Sequence, residues 1–175
     1  VREEFQNGNE KKAHELCEKL IGISDGYGAY QCWGELELVA NDIKKFKNYE
    51  RSLSFEGGIC SVSFNAKLKN GETSYERRNY RVSYPARCAA INIIRDCAPM
   101  DYTFSLSTKH GGKITYTDDG EILHCGSLED NGLNYCLYAK VITDGEIIAS
   151  SDSLRIRNTK ELTIYLSADT DYLDS

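Results

Sequence analysis

A chain of 175 residues, 41% hydrophobic and 27% charged, has the composition of a globular domain long enough to bury a core. Its formal charge of −6 and pI near 5.2 argue against nucleic acid or an anionic membrane as a partner. No apolar run approaches the roughly 20 residues of a membrane-spanning helix. No charged-then-apolar leader opens the chain, and its only methionine is Met100, so the sequence reads as a piece of something longer.

In chain order, Arg2 to Asn7 reads as a short helix ended by Asn7-Gly8. Asn9 is placed as an N-cap with Glu10 in the first turn. Ala13, Leu16, Cys17, Leu20 and Ile21 then form one apolar stripe, which predicts a helix over Glu10–Ile21 closed by Gly22. His14 lies beside that stripe and reads as solvated, since no second His or Cys stands where zinc would want it. A helical lead-in and loop over residues 1–29 therefore precedes a β domain over 30–175. Strand-like sequence runs from Tyr30 to Val39, with Glu35-Leu-Glu-Leu38 alternating. Lys44, Lys45 and Lys47 read as a solvated run on a strand or turn, not as a nucleic-acid patch. Tyr49 to Phe55 alternates again and Gly57-Gly58 turns the chain.

Ile59 to Arg95 carries the clearest signal. Cys60, Val62, Phe64, Ala66 and Leu68 alternate with polar residues, as in a strand with one buried face. Asn70-Gly71 predicts a tight hairpin with both residues at positive φ. The return strand runs through Thr73, Tyr75 and Tyr80 up to Pro85. Cys88 to Ile94 is apolar on both parities, which predicts a central strand covered on both sides. After Pro99, Tyr102, Phe104 and Leu106 share one face. Gly111-Gly112, Asp119-Gly120 and Asp144-Gly145 are further hairpin signals, flanked by strand-like segments over 113–117, 121–128, 134–143, 146–149, 153–157 and 161–167. About eleven short strands with a turn every 8–12 residues predict a mainly β fold: an antiparallel, supersandwich-like β-sandwich of two facing sheets. The helix should pack on it through Leu16 and Leu20. Val62, Phe64, Ile91, Ile93, Phe104, Leu106, Leu137 and Val141 should form its core.

Chemistry-bearing residues are few. Cys17, Cys32, Cys60, Cys88, Cys97, Cys125 and Cys136 make no C-x-x-C spacing, and an odd count cannot be fully paired. Free buried thiols, and with them a reducing, cytoplasmic setting, are expected. Asp118-Asp119, Glu129-Asp130 and the terminal Asp169, Asp171 and Asp174 lie in turns or at a chain end. There they read as solvated, because nothing nearby would bury a carboxyl and raise its pKa. The terminal aspartates lack the glycine and closing glutamate of a calcium loop. No catalytic residue, metal ligand or cofactor site is assigned, and the substrate-binding residues are left open.

Several segments carry a resemblance. Tyr30-Gln-Cys-Trp-Gly-Glu-Leu36 resembles a tyrosine-glutamine-proline-leucine-glycine-aspartate-leucine motif. Tyr49-Glu-Arg-Ser-Leu-Ser-Phe55 is similar to the tyrosine-arginine-leucine segment that follows it. Tyr75-Glu-Arg77, Ser83-Tyr-Pro85 and Leu166-Ser-Ala-Asp-Thr-Asp-Tyr172 continue in the same order. Together with the lead-in helix they resemble the N-terminal β-domain of glycoside hydrolase family 95, the α-L-fucosidase family. Cys32 and Trp33 depart from its proline and leucine, and Ala86 from its usual aspartate. The resemblance implies that acid and base lie on a later (α/α)6 barrel of the same polypeptide, which inverts α-L-fucosidic or α-L-galactosidic bonds. It implies a non-catalytic role for this chain, with that barrel as its partner. The family's preceding strands would be missing, so a homodimer through an exposed sheet edge is also expected. A stand-alone oligosaccharide-binding module, using Trp33 and the twelve tyrosines as stacking surfaces, is the alternative. A structural or interaction domain without a sugar context is another.

Overall fold

The computed structural model describes residues 1–20 and 32–172 of the chain. These form two compact units, Val1–Cys32 and Trp33–Ser175. In the first, α1 (Arg2–Gln6) and α2 (Glu10–Glu18) are joined through Asn7 and Gly8, the glycine at φ 74°. Asn9 occupies the N-cap position without capping through its side chain, which instead donates to Glu4 at 2.9 Å. Helix α2 is shorter than expected. The Leu20 N–H closes on the Cys17 carbonyl three residues back, a tightened last turn. Leu20 is exposed, and only Ala13 of α2 is buried, so the stripe is too weak to carry the helix further. Ile21, Gly22 and Tyr30, on which other expectations rested, lie outside the described residues.

The second unit is antiparallel β throughout, as the alternation predicts. Its larger sheet has the order β2-β3-β4-β5-β12-β9-β8-β7. Those strands are β2 (Ile43–Ser54), β3 (Ile59–Leu68), β4 (Thr73–Ser83), β5 (Cys88–Arg95), β7 (Lys113–Tyr116), β8 (Glu121–Ser127), β9 (Asn134–Thr143) and β12 (Glu161–Thr170). The smaller sheet is β1-β6-β11-β10, formed by β1 (Glu35–Ala40), β6 (Met100–Ser107), β10 (Glu146–Ala149) and β11 (Leu154–Thr159). Lys44, Lys45 and Lys47 fall within β2, which is one exposed strand with a register shift between Lys47 and Glu50, where Asn48 adopts φ 54°.

Strand pleating sends alternate side chains of the larger sheet inward. Phe64, Ala66 and Leu68 of β3, Ile93 of β5, Leu162 and Ile164 of β12, Leu137, Ala139 and Val141 of β9 and Ile122 of β8 meet Met100, Tyr102, Phe104, Leu106, Leu154 and Ile156 of the smaller sheet. Six of the eight expected core residues are buried there. Val62 and Ile91 are half-buried at its margin. The Asn70-Gly71 turn differs from the two-residue hairpin in that Gly71 alone has positive φ, at 93°. Asn70 instead accepts the Glu72 N–H on its side-chain oxygen at 3.0 Å, a local turn of the kind asparagine favours.

Strand β5 lies between β4 and β12, so its backbone is central. It is covered on one face only, however. Ile93 is 1% exposed while Ile94 beside it is 44% exposed, because Ile93 faces the smaller sheet and Ile94 points to the opposite side. Ile93→Ala should therefore cost about 2–5 kcal/mol in urea unfolding. Ile94→Ala should cost a small fraction of that, and equal losses would mean that both faces are buried.

Candidate functional site

Among the described residues the core holds one buried carboxylate. Glu76, on the inner face of β4, is fully buried. Arg95 of β5 is its direct cross-strand neighbour and donates to it at 2.6 Å. Arg78, two residues along β4 on the same face, donates to the other carboxylate oxygen at 2.6 Å and sets its guanidinium 5.6 Å from the Phe64 ring centroid. The Tyr102 hydroxyl, from β6 in the opposite sheet, donates to Glu76 at 2.9 Å. Arg95 also donates to the Ala98 carbonyl and reaches the Met100 sulfur. Its second terminal nitrogen, Nη2, has no partner among the described residues. Burial, and then the neighbouring Glu76 charge, push the Tyr102 phenol well above its ordinary range. The sequence carried a signal for this cluster: Ser74, Glu76 and Arg78 are polar residues on the inward parity of a strand.

A second cluster lies where β7, β8 and β9 meet. The Gly111 carbonyl accepts from the Tyr135 hydroxyl and from His124 Nε2 at 3.1 Å. A carbonyl can only accept, so His124 carries its proton on Nε2. Nδ1 is then buried without a partner among the described residues. The rings of Trp33, His110 and His124 stand 5.7, 5.8 and 5.3 Å from the Tyr135 ring. Gly34, next to Trp33, sits at φ 145°, and a Cβ there would come 2.5 Å from the Ser107 carbonyl. This is the structural meaning of the tryptophan-glycine step in the first motif. On the opposite face of β8 and β9, Cys125 and Cys136 are register partners joined by a disulfide. The expectation of free thiols therefore fails for this pair. Strand pairing set the two sulfurs face to face, and the 11-residue sequence separation concealed that.

The turn carboxylates serve the backbone. Asp118 accepts the Ala149 N–H at 2.8 Å, and Asp171 accepts the Asn134 N–H and side-chain amide at 2.9 and 2.6 Å. Asp169 accepts the Thr170 N–H. Asp119, Glu129 and Asp130 are exposed, and Asp174 lies outside the described residues. Asp144-Gly145, like Gly111-Gly112, joins strands of different sheets and makes no hairpin; Asp144 holds the β11–β12 corner by accepting from Thr159 Oγ1 and from the Lys160 and Glu161 N–H groups at 2.7–3.0 Å. Burial opposes its charge, but these bonds hold its pKa below the usual carboxylate range. No group of three or more metal-ligating side chains occurs among the described residues. Nor is any described helix long and apolar enough to cross a membrane.

Eight strands against four leave one inner corner of the large sheet uncovered. There Phe55, Val82 and Tyr84 are 91%, 82% and 92% exposed, beside exposed Leu53. A shallow groove of about 350 Å³ runs between Val82, Tyr84, Ala89, Leu166 and Ala168.

A β-sandwich of unequal sheets with a buried acid–arginine–tyrosine cluster defines the class, and comparison with known proteins places it. The family model described as Glycosyl hydrolase family 65, N-terminal domain, matches residues 1–175, and the chain belongs to that family. The motifs had pointed to family 95, so the matched family is a correction in number within the same kind of domain. Two curated relatives are each named Probable alpha-fucosidase A. One, from Aspergillus oryzae, is 25% identical over 88% of this chain and 22% of its own length. The other, from Aspergillus niger, is 23% identical over 96% of this chain and 21% of its own. The chain thus spans about a fifth of the length of these relatives. A solved structure titled as a kojibiose phosphorylase from the human microbiome shares the fold. It has a TM-score of 0.54 at 12% identity and covers 78% of this chain and 22% of that one.

Two measurements check this geometry. Tyr102 should stay protonated in the folded chain above about pH 10, where a phenol in an unfolded chain ionises. Its contribution to stability is complete below that pH and is lost as pH rises toward its own raised pKa. Tyr102→Phe should therefore flatten the decline in melting temperature above about pH 10, and an unchanged profile would contradict the raised value. In the second, alkylation of the unreduced chain followed by peptide mass spectrometry should recover Cys125 and Cys136 unmodified in one cross-linked peptide.

Proposed function

We propose that this chain is the non-catalytic β-domain of a longer glycoside hydrolase that cleaves α-L-fucosidic, and by extension α-L-galactosidic, bonds with inversion. The acid and base then lie on an (α/α)6 barrel elsewhere in the same polypeptide. The observation that carries this reading is the uncovered apolar corner of Leu53, Phe55, Val82 and Tyr84, on a domain matching about a fifth of each fucosidase-named relative. A corner of this kind calls for more protein to cover it. Glu76 supports the reading from the other side. It is the one buried carboxylate among the described residues, and its oxygens are taken by Arg78, Arg95 and Tyr102.

A homodimer through a sheet edge is the weaker arrangement. The edge strand β2 carries Lys44, Lys45 and Lys47, β1 carries Glu35 and Glu37, and β7 and β10 are four residues each. Symmetric pairing of β2 or of β1 would bring like charges together, and short charged edges resist pairing. Incubation of the purified chain with an α-L-fucosyl aryl glycoside should give no turnover. Turnover that a single carboxylate substitution abolished would overturn the reading.

A further inference from the structure

The net charge of −6 conceals a segregation. Between residues 43 and 90 there are ten Lys and Arg against four Glu, a net of +6, which leaves −12 for the rest of the chain. That segment folds into β2, β3, β4 and the start of β5, one half of the large sheet. The pairing register sorts its charges by face. On the outer face Lys45 pairs with Lys67. Lys47, Asn65 and Tyr75 follow one another across the strands, as do Glu50, Ser63 and Arg77, and then Ser52, Ser61, Asn79 and Asn92. Arg81, Ala90 and Tyr165 close the row on the far side. Ser61 donates to Asn79 at 2.8 Å and Asn92 to Thr163 at 3.0 Å, so hydroxyl and amide groups cross the face as a continuous band.

Four other cations of the β unit are paired. Arg78 and Arg95 are spent on Glu76, Lys140 is paired with Glu121 and Arg157 with Asp101. Lys45, Lys47, Lys67, Arg77 and Arg81 are all exposed and form no ion pair among the described residues. A half-sheet that gathers five unneutralised cations in an acidic chain attracts polyanions. Strands lie about 4.8 Å apart and residues about 3.3 Å apart along them, so Arg77 and Arg81 stand about 13 Å apart. The charges thus form a spaced grid instead of one pocket.

We propose that this outer face binds an acidic polysaccharide, a chain of sugar rings bearing carboxylate or sulfate groups. The cations would take the anionic substituents. Ser61, Ser63, Asn65 and Asn79 between them offer the donors and acceptors that sugar hydroxyls need, and Tyr75 and Tyr165 offer exposed rings to the sugars' apolar faces. Single-stranded nucleic acid fits less well. It binds by stacking successive bases on closely spaced aromatic platforms, whereas Tyr75 and Tyr165 stand two strands apart, on β4 and β12, with hydroxyls and amides around them. The choice of a sugar polymer rests on the proposed glycoside hydrolase context, while the polyanion site rests on the face alone.

Isothermal titration of this chain tests it, with a heparin-derived sulfated hexasaccharide and an oligogalacturonate as probes and a neutral cello-oligosaccharide as control. Saturable binding to at least one anionic probe is expected, weakening as salt rises from about 0.05 to 0.15 M, with none to the neutral sugar. Arg77→Glu/Arg81→Glu should lower affinity at least about tenfold, or about 1.4 kcal/mol. Lys45→Glu/Lys47→Glu, at the exposed sheet edge, should do the same independently. Arg155→Glu, on the exposed face of the smaller sheet, changes net charge on the opposite side of the sandwich and should leave affinity unchanged. Melting temperatures of all variants confirm that they fold. Absence of binding to both anionic probes, equal loss with Arg155→Glu, or equally tight binding of single-stranded DNA would each overturn the proposal. No turnover is measured, so a negative result here leaves the non-catalytic reading standing. Turnover in the glycoside assay would leave the polyanion site standing.

Discussion

The two sheets are tied at Glu76. A carboxylate taken wholly out of water costs several kcal/mol unless its charge is matched. Here the match comes from three elements at once: Arg78 on its own strand, Arg95 on the neighbouring strand and Tyr102 across the core. Only one alignment of β4 on β5, and one placement of β6 over both, satisfies all three. Apolar packing tolerates small slips, since leucine and isoleucine faces are interchangeable to within about a kcal/mol or so. A buried carboxylate does not, because a slip of one residue would send it to the outer face and leave Arg95 without its partner. The cluster therefore supplies registration that the surrounding aliphatic core does not.

The second constraint is one of width. Four strands cannot cover eight, so the β2–β5 half of the large sheet has two faces with different fates. Its inner corner stays apolar and open around Phe55, Val82 and Tyr84, which suits further protein. Its outer face stays polar and basic, with Arg77, Arg81 and three lysines unneutralised. Alternation along a single strand keeps the two roles apart: in β4, Glu76, Arg78 and Tyr80 look inward while Tyr75, Arg77, Asn79 and Arg81 look outward.

Much of this was legible in the sequence, and the failures have physical causes. The alternation of Cys60 to Leu68 placed Phe64, Ala66 and Leu68 correctly inside, because period-two burial leaves an unambiguous trace. Cys88 to Ile94 misled, since Ala90 and Ile94 are apolar yet face outward; a central strand needs a paired backbone, not two covered faces. The Cys125–Cys136 bond was invisible because sequence separation says nothing of cross-strand register. Glu76 lay in plain view within Tyr75-Glu-Arg77, but only its inward parity distinguishes it from its solvated neighbours. The basic half-sheet was lost in the total charge, which averages +6 against −12; a count over residues 43–90 would have shown it.

A double-mutant cycle between Glu76 and Tyr102 tests the tie between the sheets most directly. Urea unfolding of Glu76→Gln, Tyr102→Phe and the double variant gives their coupling free energy. A coupling of about 1–3 kcal/mol is expected for two buried, hydrogen-bonded partners on opposite sheets. Losses that simply add, to within about 0.5 kcal/mol, would show that the hydroxyl and the carboxylate do not hold the sheets together.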